Sequence, residues 1–213
     1  MTILGTKLGD SNFWTYYPSH YWSKLTCILA LSKVEVVGKE NISKDESYVF
    51  VANHQGAFDI FLIYGYLGHD FKWIMKQSLR NIPIVGQACE DANHIFIDDT
   101  GAKGVKSSME KAIQTLGTGM SLVIFPEGSR TLDGKIHRFK KGAYQIADEL
   151  KMPIVPLVIE GSFNVLKRGT LKLRPHRLKL TILPAIPFDP ASEDEIKRRL
   201  DLSFNNISEV LNH

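Results

Sequence analysis

The chain of 213 residues is long enough for one large domain with a substantial hydrophobic core. Its 26 basic and 23 acidic residues leave a formal net charge of only +3, which argues against a nucleic-acid-binding protein held mainly by phosphate contacts. The balance still permits a local basic patch that faces anionic lipid. Two cysteines, Cys27 and Cys89, fit no metal-ligand spacing and no disulfide framework, which favours a reducing compartment.

The N-terminal part of the chain contains an aromatic segment. Six of the ten residues at 13–22 are Phe, Trp or Tyr, which favour the membrane–water interface. A helix packed on the domain's own core is the alternative. No run approaches the roughly 18–20 apolar residues that cross a bilayer, and no signal-peptide pattern precedes the apolar run at 25–31. We expect an interfacial helical arm over residues 1–35 and one domain over residues 36–213.

Short apolar runs alternate with helical patterns along the rest of the chain. Strands are predicted at residues 47–53, 71–76, 94–98, 121–125, 153–161 and 177–184. Several of these runs are continuously apolar rather than alternating, as is typical of strands covered on both faces. Helices are predicted at residues 57–67, 103–117, 140–151 and 191–212, the last opened by a capping box of Ser192 and Glu195. The alternation predicts an α/β fold, a single domain with a mostly parallel central sheet flanked by helices.

A histidine follows the first predicted strand, and an aspartate stands five residues later. In a continuous helix, His54 and Asp59 would lie about 140° apart and would not meet. They can meet if His54 ends the strand and the chain turns at Gly56, where a glycine costs little. The aspartate would then fix the tautomer of the ring, and the other ring nitrogen could take a proton from a hydroxyl. An ordinary strand-end histidine is the alternative.

The sequence offers no nucleophile motif to accompany this pair. It contains no G-x-S-x-G elbow and no H-E-x-x-H motif, and no second histidine lies at metal-ligand spacing from His54. The pattern therefore favours direct base catalysis, in which a hydroxyl of the substrate is the nucleophile.

A second polar turn, FPEGSRT at residues 125–131, follows another predicted strand. Arg130 carries a planar fork that suits phosphate or carboxylate, and Gly128 with Ser129 lets backbone N–H groups approach an anion. A surface turn in which Glu127 and the arginine pair with neighbours is the alternative. Just downstream stands a basic run, which is usually a solvated face: Lys135, Arg138, Lys140 and Lys141.

These blocks, in this order and at this separation, resemble the glycerolipid acyltransferase family of 1-acylglycerol-3-phosphate acyltransferases. NHQGAFD resembles the first block of the family, FPEGSRT the third and VPLVIEGS the fourth. MKQSLRNIPIVG resembles the segment before the second block, and FKKGAYQIA resembles the stretch after the third. The similarity covers about residues 47–165.

The resemblance implies an enzyme that moves a fatty acyl group from a thioester, acyl-CoA or acyl-carrier protein, to a lysophospholipid hydroxyl. The foremost acceptor is 1-acyl-sn-glycerol-3-phosphate, and the family uses no metal or cofactor. It implies that His54 is the general base and Asp59 its orienting partner. Arg130 and Lys76 would bind the phosphate, and other residues would line the acceptor site: Glu127, Gly128, Ser129 and Lys141. The expected location is the cytoplasmic face of a membrane, bound peripherally or monotopically.

One position departs from the family's pattern. The second block usually ends in Asp-Arg, whereas HIFIDD ends in Asp98-Asp99, which leaves another lysolipid head group open. Lys103, Arg138 or Lys141 could supply the missing charge. We expect no metal at the two acids, because adjacent strand residues point to opposite faces. A thioester hydrolase and a non-enzymatic lipid-binding module are the remaining alternatives.

Overall fold

A computed structural model describes residues 11–98 and 119–212, together with residues 101, 104, 107, 108, 110, 113 and 114. The helices in this part are α1 (Ser11–Leu29), α2 (Phe58–Tyr66), α3 (Val85–Asp91), α4 (Gly142–Glu149), α5 (Ser162–Val165) and α6 (Glu195–Asn212). The strands are β1 (Val34–Val37), β2 (Val49–Ala52), β3 (Phe71–Lys76), β4 (Ile95–Ile97), β5 (Ser121–Ile124), β6 (Ile154–Glu160) and β7 (Leu178–Ile182). Most of the helix predicted at 103–117 lies outside the described residues.

The strands form one mostly parallel sheet in the order β1-β7-β6-β2-β5-β3-β4. Among the described pairs, β6 and β7 are antiparallel and the others are parallel. We call the edge at which β2, β3, β5 and β6 end the carboxyl edge, and the opposite one the amino edge. The prediction of a single α/β domain with a mostly parallel sheet is confirmed.

Helices cover both faces of the sheet, which explains why the strands read as continuous apolar runs. Along β2, Val49 and Val51 face one layer while Phe50 and Ala52 face the other, and all four are fully buried. Helices α1 and α2 pack against each other on the Phe50 side, and α4 and α6 cover the Val49 side. All six predicted strands are present, each shorter than or equal to its prediction.

Helix α1 shows that Ser11–Leu29 of the N-terminal segment is helical, and it packs on the domain as well. Cys27, near its end, and Ala30, just after it, are buried in the core to which α2 also contributes. No helix in the described part of the chain is both long enough and apolar enough to cross a membrane. The boundary between arm and domain at residues 35 and 36 stays a prediction.

The predicted capping box of Ser192 and Glu195 is wrong. Helix α6 begins at Glu195, and the carboxylate of Asp194 accepts the backbone N–H of Lys197 at 3.0 Å, so Asp194 is the N-cap. The Glu195 carboxylate instead accepts the N–H of Asp189 at 3.0 Å. Aspartate caps helices as well as serine does, and Asp194 stands only two residues after Ser192, so the sequence pattern did not distinguish the two candidate caps.

Candidate active site

The candidate site lies where three neighbouring strands end. In the order β6-β2-β5 the strands are parallel, so the segments that follow them meet at the carboxyl edge, where α/β proteins bind their ligands. Asn53, directly after β2, is buried, and its amide both donates to the Ile159 carbonyl at 2.9 Å and accepts the Ile159 N–H at 2.8 Å. These two hydrogen bonds to β6 fix the backbone that carries His54.

His54 and Asp59 are in direct contact, as the sequence predicted. The Oδ2 atom of Asp59 lies 2.7 Å from Nδ1 of His54 and also accepts the Gly56 N–H at 2.9 Å. The contact is possible because the helix begins only at Phe58, and the chain turns before it. Asp59 is fully buried, whereas the His54 side chain is 15% exposed. An Nδ1–H donated to the carboxylate leaves Nε2 as the free base.

Gly56 is required because of close packing, and not because the turn needs a backbone conformation that only glycine adopts easily. It does not adopt a positive φ; instead, a Cβ at this position would lie 2.8 Å from both the carbonyl oxygen and the hydroxyl of Ser162. Contacts that short force the neighbouring backbone to move, so a larger residue would push α5 away. The glycine therefore lets the turn between His54 and Asp59 pack directly on the segment after β6.

The segment after β5 contacts the backbone carbonyl and the ring face of His54. The Thr131 N–H donates to the His54 carbonyl at 2.9 Å, and the imidazole stacks on the Phe125 ring with centroids 3.9 Å apart and planes 10° apart. Phe125 in turn stacks on Trp73 at 5.4 Å. The stacking restrains the plane of the imidazole, so Asp59 and Phe125 together set its orientation. Sequence reasoning missed Phe125 and Thr131, although both belong to the FPEGSRT block.

Glu127 connects the two blocks through backbone bonds. It is 8% exposed, and its two carboxylate oxygens accept the N–H groups of His54 at 2.7 Å and of His137 at 3.0 Å. Burial raises the pKa of this carboxyl, and the two N–H donors oppose that shift. Glu127 thus positions the backbone of His54 and of His137, and its role in shaping the acceptor site stays a prediction.

A lysine lies against the turn of the third block. Gly128 has a φ of +76°, which favours glycine, and its N–H donates to the Phe125 carbonyl at 3.0 Å. A Cβ at Gly128 would lie 2.9 Å from Nζ of Lys140, whose backbone N–H also donates to the Pro126 carbonyl at 2.9 Å. Sequence reasoning named the neighbouring Lys141, which directly precedes α4 with an exposed side chain, and its role stays a prediction.

The remaining predicted ligands share the edge that carries His54. Arg130 is half-buried, and its backbone carbonyl accepts a hydrogen bond from the guanidinium of Arg168 at 2.9 Å. Ser129 is exposed beside it. Lys76 ends β3, the strand on the far side of β5, and its side chain is exposed. The structure places these residues at the carboxyl edge, and their contact with a ligand stays a prediction.

The second block is described only in part. Asp98 follows β4, and its N–H donates to the Ser108 hydroxyl at 3.0 Å, while Asp99 and Lys103 lie outside the described residues. Arg138 is exposed. Within the described ranges, no group of three or more His, Cys, Asp and Glu side chains is arranged to hold a metal ion. Which residue replaces the arginine of the family's second block stays a prediction.

Comparisons with known proteins agree with this arrangement. The family model described as Acyltransferase matches residues 33–160. A 1-acyl-sn-glycerol-3-phosphate acyltransferase of Helicobacter pylori is 32% identical over 160 residues, which cover 73% of this chain and 68% of that protein. A protein of the same name from Chlamydomonas reinhardtii is 32% identical over 157 residues, which cover 73% of this chain and 47% of that protein. The chain spans about half the length of most such curated relatives.

A solved structure shows the same fold. The crystal structure of the 1-acyl-sn-glycerophosphate (LPA) acyltransferase PlsC from Thermotoga maritima matches 100% of this chain and 88% of that chain. The TM-score is 0.82 and the sequence identity is 28%. The match of the family model over more than half of the chain confirms the resemblance inferred from the sequence blocks. The chain belongs to the acyltransferase family.

Proposed function

We propose that this protein transfers a fatty acyl group from a thioester donor to the free hydroxyl of a lysophospholipid. The leading acceptor is 1-acyl-sn-glycerol-3-phosphate, which would give phosphatidate. The observation that carries the proposal is the 2.7 Å contact between Nδ1 of His54 and the buried carboxylate of Asp59, beside a turn with basic side chains. The names of the similar proteins support this acceptor.

The geometry supports general-base catalysis by His54. The acceptor hydroxyl would give its proton to Nε2 while its oxygen attacks the thioester carbonyl carbon. The imidazolium so formed is stabilised by Asp59, which accepts the Nδ1–H without taking the proton. The tetrahedral intermediate then collapses, the carbon–sulfur bond breaks, and Nε2 returns the proton to the departing thiolate. Such a base typically contributes about 10²–10⁴-fold to the rate.

The acceptor phosphate would bind to the basic side chains around the third block. Arg130 offers a fork for two phosphate oxygens, and Lys140 places an ammonium against the turn at Gly128. Lys76 would add charge from the end of β3. A phosphate held there would keep the nearby hydroxyl of the same molecule close to His54, which trades binding energy for orientation.

We also propose that the enzyme works at the cytoplasmic face of a membrane, bound peripherally or monotopically. One face of α1 packs on α2, while the other leaves Tyr21, Trp22, Ile28 and Leu29 exposed by 64%, 62%, 62% and 69%. Exposed aromatic and aliphatic residues along one helical face are typical of helices that lie in the interface. Cys27 and Cys89 are both free thiols, which fits a reducing compartment.

The test is an acyl-transfer assay with both thioester donors and a panel of lysolipids that differ in head group. We expect phosphatidate to form from lysophosphatidate faster than any other product forms. Transfer to a different lysolipid alone would reassign the head group. Thioester release that does not depend on added lysolipid would identify a hydrolase, and lysolipid binding without any thioester release would identify a lipid-binding module.

A further inference from the structure

A basic segment projects beside the candidate site. Residues 167–177, which we call the basic loop, connect α5 to β7, and all eleven are exposed. The loop contains five Lys or Arg residues and no acidic residue. It also carries two leucines, Leu171 at 100% exposure and Leu173 at 48%. A fully exposed leucine within a basic stretch has no role in the packing of the fold.

The basic residues of the loop fall into two groups. Lys167 lies over an aromatic ring of α5, Arg168 donates to the backbone of the third block, and Arg177 pairs with a glutamate of β1. Lys172 and Arg174 flank Leu173, and neither side chain has an ion pair or hydrogen bond within the described part of the chain. These two side chains are therefore available to an external anion.

The basic loop lies at the same edge of the sheet as His54. Since β7 runs antiparallel to β6, a loop from the end of β6 to the start of β7 stays at the carboxyl edge. The N–H of Leu178, where β7 starts, donates to the Lys33 carbonyl at 2.8 Å, so the segment between α1 and β1 lies beside the loop. Other exposed apolar residues follow α1, β3 and β5 at this edge: Leu31 at 74%, Ile84 at 78% and Leu132 at 74%.

We propose that the basic loop is a second membrane contact, separate from α1. Leu171 and Leu173 would enter the interface of an anionic bilayer, while Lys172 and Arg174 contact its lipid phosphates. A bilayer fits better than an acidic protein, because the exposed apolar residues come from several segments around one edge. The proposal rests on the proposed function, since this orientation would let a lysolipid reach His54 without leaving the interface.

The test measures how the full chain partitions onto sedimented vesicles of phosphatidylcholine, alone or with an equal amount of phosphatidylglycerol. The loop variant is Lys172→Gln with Arg174→Gln, and the matched control is Lys39→Gln with Lys44→Gln. The control lysines are exposed at the amino edge, where β1 ends and β2 begins. Their replacement removes the same amount of positive charge as the loop variant does. We expect the loop variant to lose about thirtyfold in partition onto anionic vesicles, because each basic residue near such a surface contributes about fivefold.

Several outcomes would overturn the proposal. One is equal partition of the loop variant and the wild type onto anionic vesicles, and another is an equal loss in the control variant. A loop variant that keeps its vesicle partition but loses affinity for an acidic acyl-carrier protein would identify a protein-docking surface instead. Partition requires no turnover, so its failure is distinguishable from a failure of acyl transfer.

Discussion

Replacement of Asp59 by asparagine alters the group that orients the candidate base and little else. In the structure, Oδ2 of Asp59 accepts from His54 at 2.7 Å and from the Gly56 N–H at 2.9 Å. Its Oδ1 is buried and has no hydrogen-bond partner among the described residues. An asparagine with its oxygen at the Oδ2 position would bury an NH₂ group without an acceptor. The flipped amide would face the Gly56 N–H and force the imidazole into the other tautomer.

Both placements impair the base, the first by weaker stabilisation of the imidazolium and the second by the wrong tautomer, and the loss can be estimated. The unsatisfied buried amide costs about 1–3 kcal/mol, and the neutral side chain no longer stabilises the imidazolium. In the flipped placement, Nε2 carries the proton and cannot accept another. The general-base contribution of about 10²–10⁴-fold should therefore be lost from kcat, which corresponds to roughly 3–5 kcal/mol of activation free energy.

The assay follows thiol release from acyl-CoA in the presence of lysophosphatidate, and thermal unfolding reports on the fold. The control variant is Asp70→Asn, which neutralises an exposed aspartate at the amino edge, where β3 begins. We expect a large fall in kcat for Asp59→Asn with little change in the KM for lysophosphatidate, and none for the control. A folded Asp59→Asn protein with nearly wild-type kcat would refute the reasoning.

Three further predictions concern the phosphate site, the core and the membrane. Arg130→Ala should raise the KM for lysophosphatidate about tenfold or more, since it removes a charge-assisted bond, and an unchanged KM would remove Arg130 from the site. Burial, and next the charge of Lys72, lowers the pKa of His94 from 6.5 to about 3. The unfolded chain therefore binds this proton more readily than the folded protein does. As the pH falls below 6.5, the free energy of unfolding should decrease by up to about 1.4 kcal/mol per pH unit. Denaturant titrations of His94→Phe should show a shallower decrease. Tyr21→Ser with Trp22→Ser should loosen binding to neutral and anionic liposomes alike, and full retention in a flotation assay would count against the interfacial face of α1.

Local patterns were sufficient to predict six of the seven described strands and the His54–Asp59 pair. A strand covered on both faces reads as an apolar run wherever it lies in the sheet, as in β2. Residues that directly follow such a strand fall at the carboxyl edge, so His54 and the FPEGSRT block could be placed together before any contact was known. The turn before α2 was predictable as well, because the pair could not meet within one helix.

The features that sequence reasoning missed depend on contacts between distant segments. Glu127 reads as a surface glutamate, yet its acceptor role depends on the backbone of His54 in another block. The stacking of Phe125 on the imidazole and the approach of Lys140 to Gly128 depend on the same packing. Strand β1 was missed because it is short, partly exposed and paired with β7, which lies near the other end of the chain.

The central claim is that His54 takes the proton of the acceptor hydroxyl. The most direct measurement compares phosphatidate formation from acyl-CoA and lysophosphatidate by the purified wild type and by His54→Ala. We expect the variant to unfold at the same temperature and to bind lysophosphatidate, but to lose about 10²–10⁴-fold or more in turnover. A folded His54→Ala protein that forms phosphatidate at nearly the wild-type rate would contradict the account.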